Sequence, residues 1–226
     1  MKTRPMIFNQ QMVKALMDGR KTVTRRPLKH QPIKNGAFWD FKWGAASSLD
    51  YLPIAAGHAT ANAAPCKVGD LIWVRETFRQ FNSSDECGCS DSPCGCPNNG
   101  TYIYKENGDS SDSGESKWKP SIHMPRKASR LTLRVTDVRC EQLIKINEES
   151  AIKEGLITKK YRFSSMEYPL GDTGYMASEN SNYICSCPVA AYKDIWNSIY
   201  SNWHENPWVW VIEFEVIKKN VDGVAL

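Results

Sequence analysis

Residues 130 to 138, "RLTLRVTDV", alternate strictly: Leu131, Leu133 and Val135 fall on one side, Thr132, Arg134 and Thr136 on the other. A period of two marks a half-buried strand. The closing "PWVWVIEFEVI" repeats it, with Trp208, Trp210, Ile212, Phe214 and Val216 sharing a face. "KVGDLIWVRETF" places a Gly-Asp turn before a strand expected from Leu71 to Phe78, and "TYIYKE" reads as a further short strand. Three segments carry a helical period instead. Met12, Val13, Ala15 and Leu16 give one apolar face to a helix expected over Gln10 to Asp18, after an apolar strand at Met6 to Phe8. Asn9 is its expected N-cap and Gly19 its C′ residue. Asn147 caps a short helix in "EESAIKEGL", and Tyr192, Ile195, Trp196 and Ile199 line a stripe on a later one.

Between these elements lie three stretches without a sustained period, at about 27–65, 83–120 and 157–187. They read as loop insertions, with Trp39, Phe41 and Trp43 as anchors of the first and polar low-complexity sequence at 107–116. Strands dominate and linkages are short, so the fold class is α+β, a curved mixed or antiparallel sheet with helices at its ends, in a single domain over 1–226. No internal repeat is visible.

Composition narrows the setting. The 226 residues can bury a sizeable core. No apolar run approaches the roughly 18 residues that span a bilayer, and "MKTRPMIFNQ" lacks the apolar region of a secretory signal. A cytoplasmic protein without a membrane partner is expected. The net charge of +4 is compatible with nucleic acid and equally with a solvated surface. Eight cysteines are unevenly placed: Cys87, Cys89, Cys94 and Cys96 lie within ten residues, Cys185 and Cys187 form a second pair, and Cys66 and Cys140 stand alone. In a reducing compartment clustered thiols suggest metal before disulfides. Four thiolates match the ligand count of a closed structural zinc site. Cys-x-Cys is the less common spacing, so the two pairs can instead recruit Cys185 and Cys187, and free or redox-paired thiols also fit. Nothing points to an organic cofactor.

The densest charge is "GRKTVTRR", Gly19 to Arg26, four cations around a short β-favouring core. A solvated basic edge is the plain reading; a site for an anion or a reactive group is the sharper one. In a regular strand Lys21 and Thr24 face opposite sides, so they converge only if Lys21 sits in the turn after Gly19. Arg26 shares a face with Thr24 and is expected to point into a pocket, with Arg25 pointing away. Glu76, in an apolar strand, fits a structural arginine pair or a functional carboxylate. "HMPRKASR" gathers His123, Arg126, Lys127 and Arg130 before a strand, where they can hold a phosphate, stack on a base or remain a solvated loop.

The run Met6 to Arg26, the "VGD" turn, "VRETF" and "WVIEFEVI" together resemble the ASCH superfamily, whose fold is a PUA-like curved β-barrel. The match is to small bacterial amidohydrolases that deacetylate 4-acetylcytidine. Their "GRKT-x-T-x-R" run stands here as Gly19, Arg20, Lys21, Thr22, Thr24 and Arg26. The resemblance implies a catalytic lysine and threonine at Lys21 and Thr24. It implies a glutamate in the helix after the central strand, matched to Glu154, with Glu148 and Glu149 competing. On the residues themselves, and not from the resemblance, substrate contacts are expected from Arg26, Glu76, His123 and Arg126. "PSIHMPRKASRLTL" also looks like ASCH-related proteins of phages and prophages, which would place the chain in a bacterial host's cytoplasm. The alternative functions are a non-catalytic module binding RNA or modified DNA, and a phage structural or assembly protein.

Overall fold

The computed structural model describes residues 1–42, 49–53, 64–89, 93–107, 117–160, 173–179, 181 and 184–224. Its largest element is a five-stranded sheet in the hydrogen-bonded order β1-β6-β9-β12-β2: β1 is Thr3–Ile7, β6 Leu71–Arg75, β9 Thr132–Gln142, β12 Trp208–Ile217 and β2 Val23–Pro27. The class is α+β, as expected; among the described residues the strands do not close into a barrel. No described helix is long and apolar enough to cross a membrane.

The described chain divides into two compact units, neither continuous in sequence. The first comprises residues 1–17, 70–134 and 216–226. In it β1 runs parallel to β6, and β6 pairs antiparallel with the start of β9. The expected strand to Phe78 breaks at Glu76. Its last part becomes β7, Phe78–Gln80, which pairs with β8, Tyr102–Tyr104. Helix α1, Gln10–Met17, is capped as expected, the Asn9 side chain accepting from Met12 N–H at 2.8 Å. A second helix, α2, spans only Ser83–Glu86. Phe78, Met124 and Ala128 form one small core here; Leu71, Trp73 and Val221 form another.

The second unit comprises residues 18–69 and 135–215. Its β12 pairs antiparallel with β2, Ile212 opposite Thr24. Trp208 to Ile212 are buried at every position, so this part of β12 is covered on both faces and not on the single face its alternation suggests. Helices α3, Glu148–Lys153, and α4, Pro188–Ile199, supply one cover. Leu143, Ala151, Tyr192 and Trp196 pack with Val23, Val209 and Val211. The first aperiodic stretch holds a three-stranded antiparallel sheet: β3 (Ile33–Asn35), β4 (Phe38–Lys42) and β5 (Leu49–Pro53). Gly36, at φ +55°, opens its two-residue first turn, a conformation that favours glycine. Phe41 meets Trp208 edge-on at 4.9 Å and Trp39 meets it at 5.8 Å, so both act as the expected anchors; Trp43 lies outside the described residues. In the third stretch β10, Ile157–Lys160, pairs with β11, Thr173–Met176. Most of the low-complexity segment lies outside the described residues.

Trp196 is 1 % exposed, meets the Tyr200 ring at 4.5 Å with the planes tilted by 41° and donates its indole N–H to Asn202 at 2.9 Å. Trp196→Ala should therefore destabilise the protein by about 3–5 kcal/mol. Urea unfolding followed by circular dichroism measures this, and a loss below about 1 kcal/mol would show that α4 is not part of the core.

Candidate active site

Why should a lysine be fully buried? Helix α1 ends before Gly19, whose φ of +74° turns the chain, and Lys21 comes off that turn as an isolated bridge to Glu154, outside the regular strand. The chain is held there by two backbone bonds, Thr22 N–H to Lys153 O at 2.9 Å and Phe214 N–H to Thr22 O at 2.9 Å. Lys21 is 0 % exposed. Its Nζ donates to the Glu154 carboxylate at 2.6 Å, the Val23 carbonyl at 2.8 Å and the Glu154 carbonyl at 3.0 Å. An ammonium has three N–H bonds, and each finds an acceptor.

Glu154 is placed by α3. Asn147 caps the start of that helix by accepting from Ser150 N–H, Glu154 is its C-cap, and Gly155 turns away at φ +102°. Glu148 and Glu149 are exposed, and Glu149 pairs with Lys153. Of the three competing glutamates, only Glu154 meets Lys21.

The other Glu154 oxygen accepts from Arg25 at 3.2 Å, and Arg25 also donates to Glu141 at 3.0 Å and to the Ser150 hydroxyl at 2.7 Å. Arg25 therefore points at the carboxylate, contrary to the expectation that it turns away. The reason is geometric: Val23 and Arg25 share the β2 face that carries the α3 and α4 core, and Glu154 lies on that side. Arg26 is half-buried and donates to the Tyr200 hydroxyl at 3.3 Å. Arg20 donates to the Gly155 carbonyl at 2.5 Å and pairs with Asp18.

Burial pulls the Lys21 ammonium below its ordinary range, Glu154 pulls it back up, and the charges of Arg26 and Arg25 push it down again. Tyr192 completes the surroundings. Burial, then the charge of Glu154 and a hydrogen bond to it, push the phenol well above its ordinary range, while Arg25 opposes the shift. The Arg25 guanidinium carbon stands 6.0 Å from its ring centre. Thr24 is buried on β2, and among the described residues no hydrogen bond joins it to Lys21 or Glu154. Sequence reasoning missed Arg25, Ser150 and Tyr192 as neighbours of Glu154. The available signal was spacing: Ser150 and Glu154 are four residues apart, one helical turn.

Glu76, His123 and Arg126 belong to the first unit, and among the described residues no hydrogen bond or ion pair links the three. Glu76 is buried and held in two bonds by Arg130, at 2.8 and 2.9 Å. Arg130 also pairs with Glu106 and lies 4.1 Å from the Tyr104 ring centre. His123 is exposed at the end of a one-turn helix. Arg126 is exposed and pairs with Asp222.

The same unit holds the cysteine group. The Sγ atoms of Cys87, Cys89, Cys94 and Cys96 all lie within 4.8 Å of one another, close enough to hold a metal ion. Cys185 and Cys187 belong to the other unit and are not part of the group. Cys66 and Cys140 are buried, and burial pushes the Cys140 thiol up to about 12.

Compared with known proteins, the chain matches no family model, no curated protein and no solved structure.

Glu154→Ala would strand Lys21 and Arg25 without their shared carboxylate and should cost about 3–5 kcal/mol. Glu149→Ala, on the exposed side of the same helix, should leave the denaturation midpoint where it was. Equal midpoints for the two variants would show that the buried network contributes nothing to folding.

Proposed function

We propose that the chain is an amidohydrolase that removes the acyl group from an acylated cytosine nucleoside, with 4-acetylcytidine as the model substrate. The observation that carries this reading is the contact between Lys21 and Glu154, 133 residues apart in sequence, in a run that resembles the deacetylases' "GRKT-x-T-x-R". The reading takes a PUA-like barrel as the parent fold, supported by the strand–helix–strand opening of β1, α1 and β2.

The chemistry needs a neutral amine. Transfer of one proton from Lys21 Nζ to Glu154 Oε2 supplies it, and burial together with the neighbouring arginine charges favours the uncharged lysine. Thr24 Oγ, which is not hydrogen-bonded to Lys21 in the free protein and must be brought to Nζ when substrate binds, then attacks the acyl carbonyl while Lys21 takes the hydroxyl proton. Collapse of the tetrahedral intermediate expels the cytosine amine, which takes that proton. Water, activated by the same lysine, releases the acid from the threonine ester. Arg26 lies close enough to Lys21 to lower its affinity for a proton, and because it shares a strand face with Thr24 it is our choice for the substrate side.

A second reading rests on the three acceptors around Nζ. They hold Lys21 as a cation, which suits a fixed polar wall in a module that binds a nucleoside or nucleic acid without turnover. Outside the reaction, the four clustered thiolates take a structural zinc ion.

Incubation with 4-acetylcytidine, followed by chromatography, should yield cytidine. Thr24→Val should abolish turnover with the fold intact. Removing a cation raises the lysine pKa, so Arg26→Ala should move the rising limb of the pH–rate profile upward. Binding of the nucleoside with no cytidine at any pH would replace the enzyme with the binding module; full activity in Thr24→Val would remove the nucleophile.

A further inference from the structure

We infer that Cys87, Cys89, Cys94 and Cys96 hold a single zinc ion in one tetrathiolate centre, and that this ion keeps Glu86 seated on the buried Arg79. The inference rests on the zinc reading above and adds what the ion does.

One centre follows from the sulfur distances. Cys89 Sγ lies 2.8 Å from Cys94, 3.1 Å from Cys87 and 3.5 Å from Cys96, while Cys87 and Cys94 are 3.4 Å apart. A disulfide joins two sulfurs at about 2.05 Å and gives the other two no reason to approach. Four sulfurs converging on one point are what a single ion requires: with metal–sulfur bonds of about 2.3 Å, tetrahedral ligands lie about 3.8 Å apart, and the separations here, from 2.8 Å up to the 4.8 Å that bounds the group, bracket that value. A multi-iron cluster distributes its thiolates over several metals and sets them farther apart. An all-sulfur tetrahedral set selects zinc or iron over hard cations.

The consequence for Arg79 follows from where the thiols sit. Cys87 is the C-cap of α2, its N–H on the Ser83 carbonyl at 3.3 Å. A helix of four residues does not persist by its own hydrogen bonds. Its start is held by the side chains of Asn82, which accepts from Ser84 N–H, and of Asn99, which accepts from Ser83 N–H at 3.2 Å, and its end runs directly into the cysteine loop. Glu86, its last residue, accepts from Asn82 N–H at 3.1 Å with one oxygen and from Arg79 with the other. Arg79 is 2 % exposed, on β7, with its guanidinium carbon 5.2 Å from the centre of the Trp118 ring. Releasing the ion frees the loop, frays α2 from its C-cap and draws Glu86 off a buried cation, a costly separation. Coupling of this kind is reciprocal: if the ion holds Glu86 on Arg79, Glu86 must strengthen the hold on the ion.

Protein purified under reducing conditions should contain one zinc per chain by elemental analysis. Cobalt substitution should give tetrahedral thiolate bands that Cys94→Ser removes. Glu86→Gln touches no sulfur, yet it should weaken zinc affinity about tenfold in chelator competition, while Glu148→Gln in the other unit leaves it unchanged. If Glu86→Gln fails to fold, amide exchange of the wild-type chain settles the point: stripping zinc should speed exchange across β7 and α2. Zinc bound at one per chain with neither effect overturns the coupling and leaves the zinc reading standing. Thiols without metal, or a coloured multi-iron cluster, overturn both.

Discussion

The second unit is organised around the burial of one lysine. Removing a lysine and a carboxylate from water costs several kcal/mol per ion, recovered only when the geometry satisfies both. Here it does. Lys21 gives all three N–H bonds, Glu154 receives a cation on each oxygen, and Arg25 extends the group to Glu141 and Ser150. That requirement fixes much of the nearby chain. Gly19 must turn at positive φ to swing Lys21 inward, Thr22 must bridge Lys153 and Phe214, and α3 must stop so that Glu154 faces β2. Arg139 continues the charged layer, pairing with Asp137, Glu141 and Glu213 in the same unit.

Where a segment buries one face against one partner, its pattern was legible. Helix α1, its Asn9 cap and the start of β9 follow from period and capping alone. The pattern said less where burial is two-sided. The alternation in β12 marks a strand but hides that Val209 and Val211 are as buried as their neighbours. It also failed where strands are short. The sheet β3–β5 has no strand longer than five residues, and its one clear signal is the Asn35-Gly36 pair at the first turn. The expected strand ends at Glu76, where the backbone N–H goes to the Met124 sulfur at 3.2 Å and not to a neighbouring strand, while the carboxylate pairs with Arg130, 54 residues away.

For the candidate site, residue types were legible and directions were not. The run at 19–26 marked Lys21, and its place in the turn after Gly19 was the condition for it to approach Thr24; Lys21 does come off that turn, yet among the described residues no hydrogen bond joins the two. Choosing Glu154 over Glu148 and Glu149 needed the helix phase and its end, which only packing of α3 supplies. Arg25 was misjudged because the strand face that binds it is set by α3 and α4, not by Thr24. For the cysteines, crowding within ten residues was enough to suggest a metal. The unusual Cys-x-Cys spacing left the partners undecided until the four sulfurs were seen to converge.

The charge of "GRKTVTRR" takes on a different meaning in this light. A polyanion is gripped by exposed cations that displace counterions from successive phosphates. Lys21 and Arg25 have no exposed charge to offer, and Arg20 is engaged by Asp18 and the Gly155 carbonyl. Two of the run's four cations, Lys21 and Arg25, therefore turn inward onto one carboxylate, while Arg20 and Arg26 bond to Asp18 and to Tyr200, so the run is not a continuous basic stripe. Within the proposed function, cations buried on a carboxylate cannot displace counterions from successive phosphates, which weighs against a polymer backbone as what this run grips.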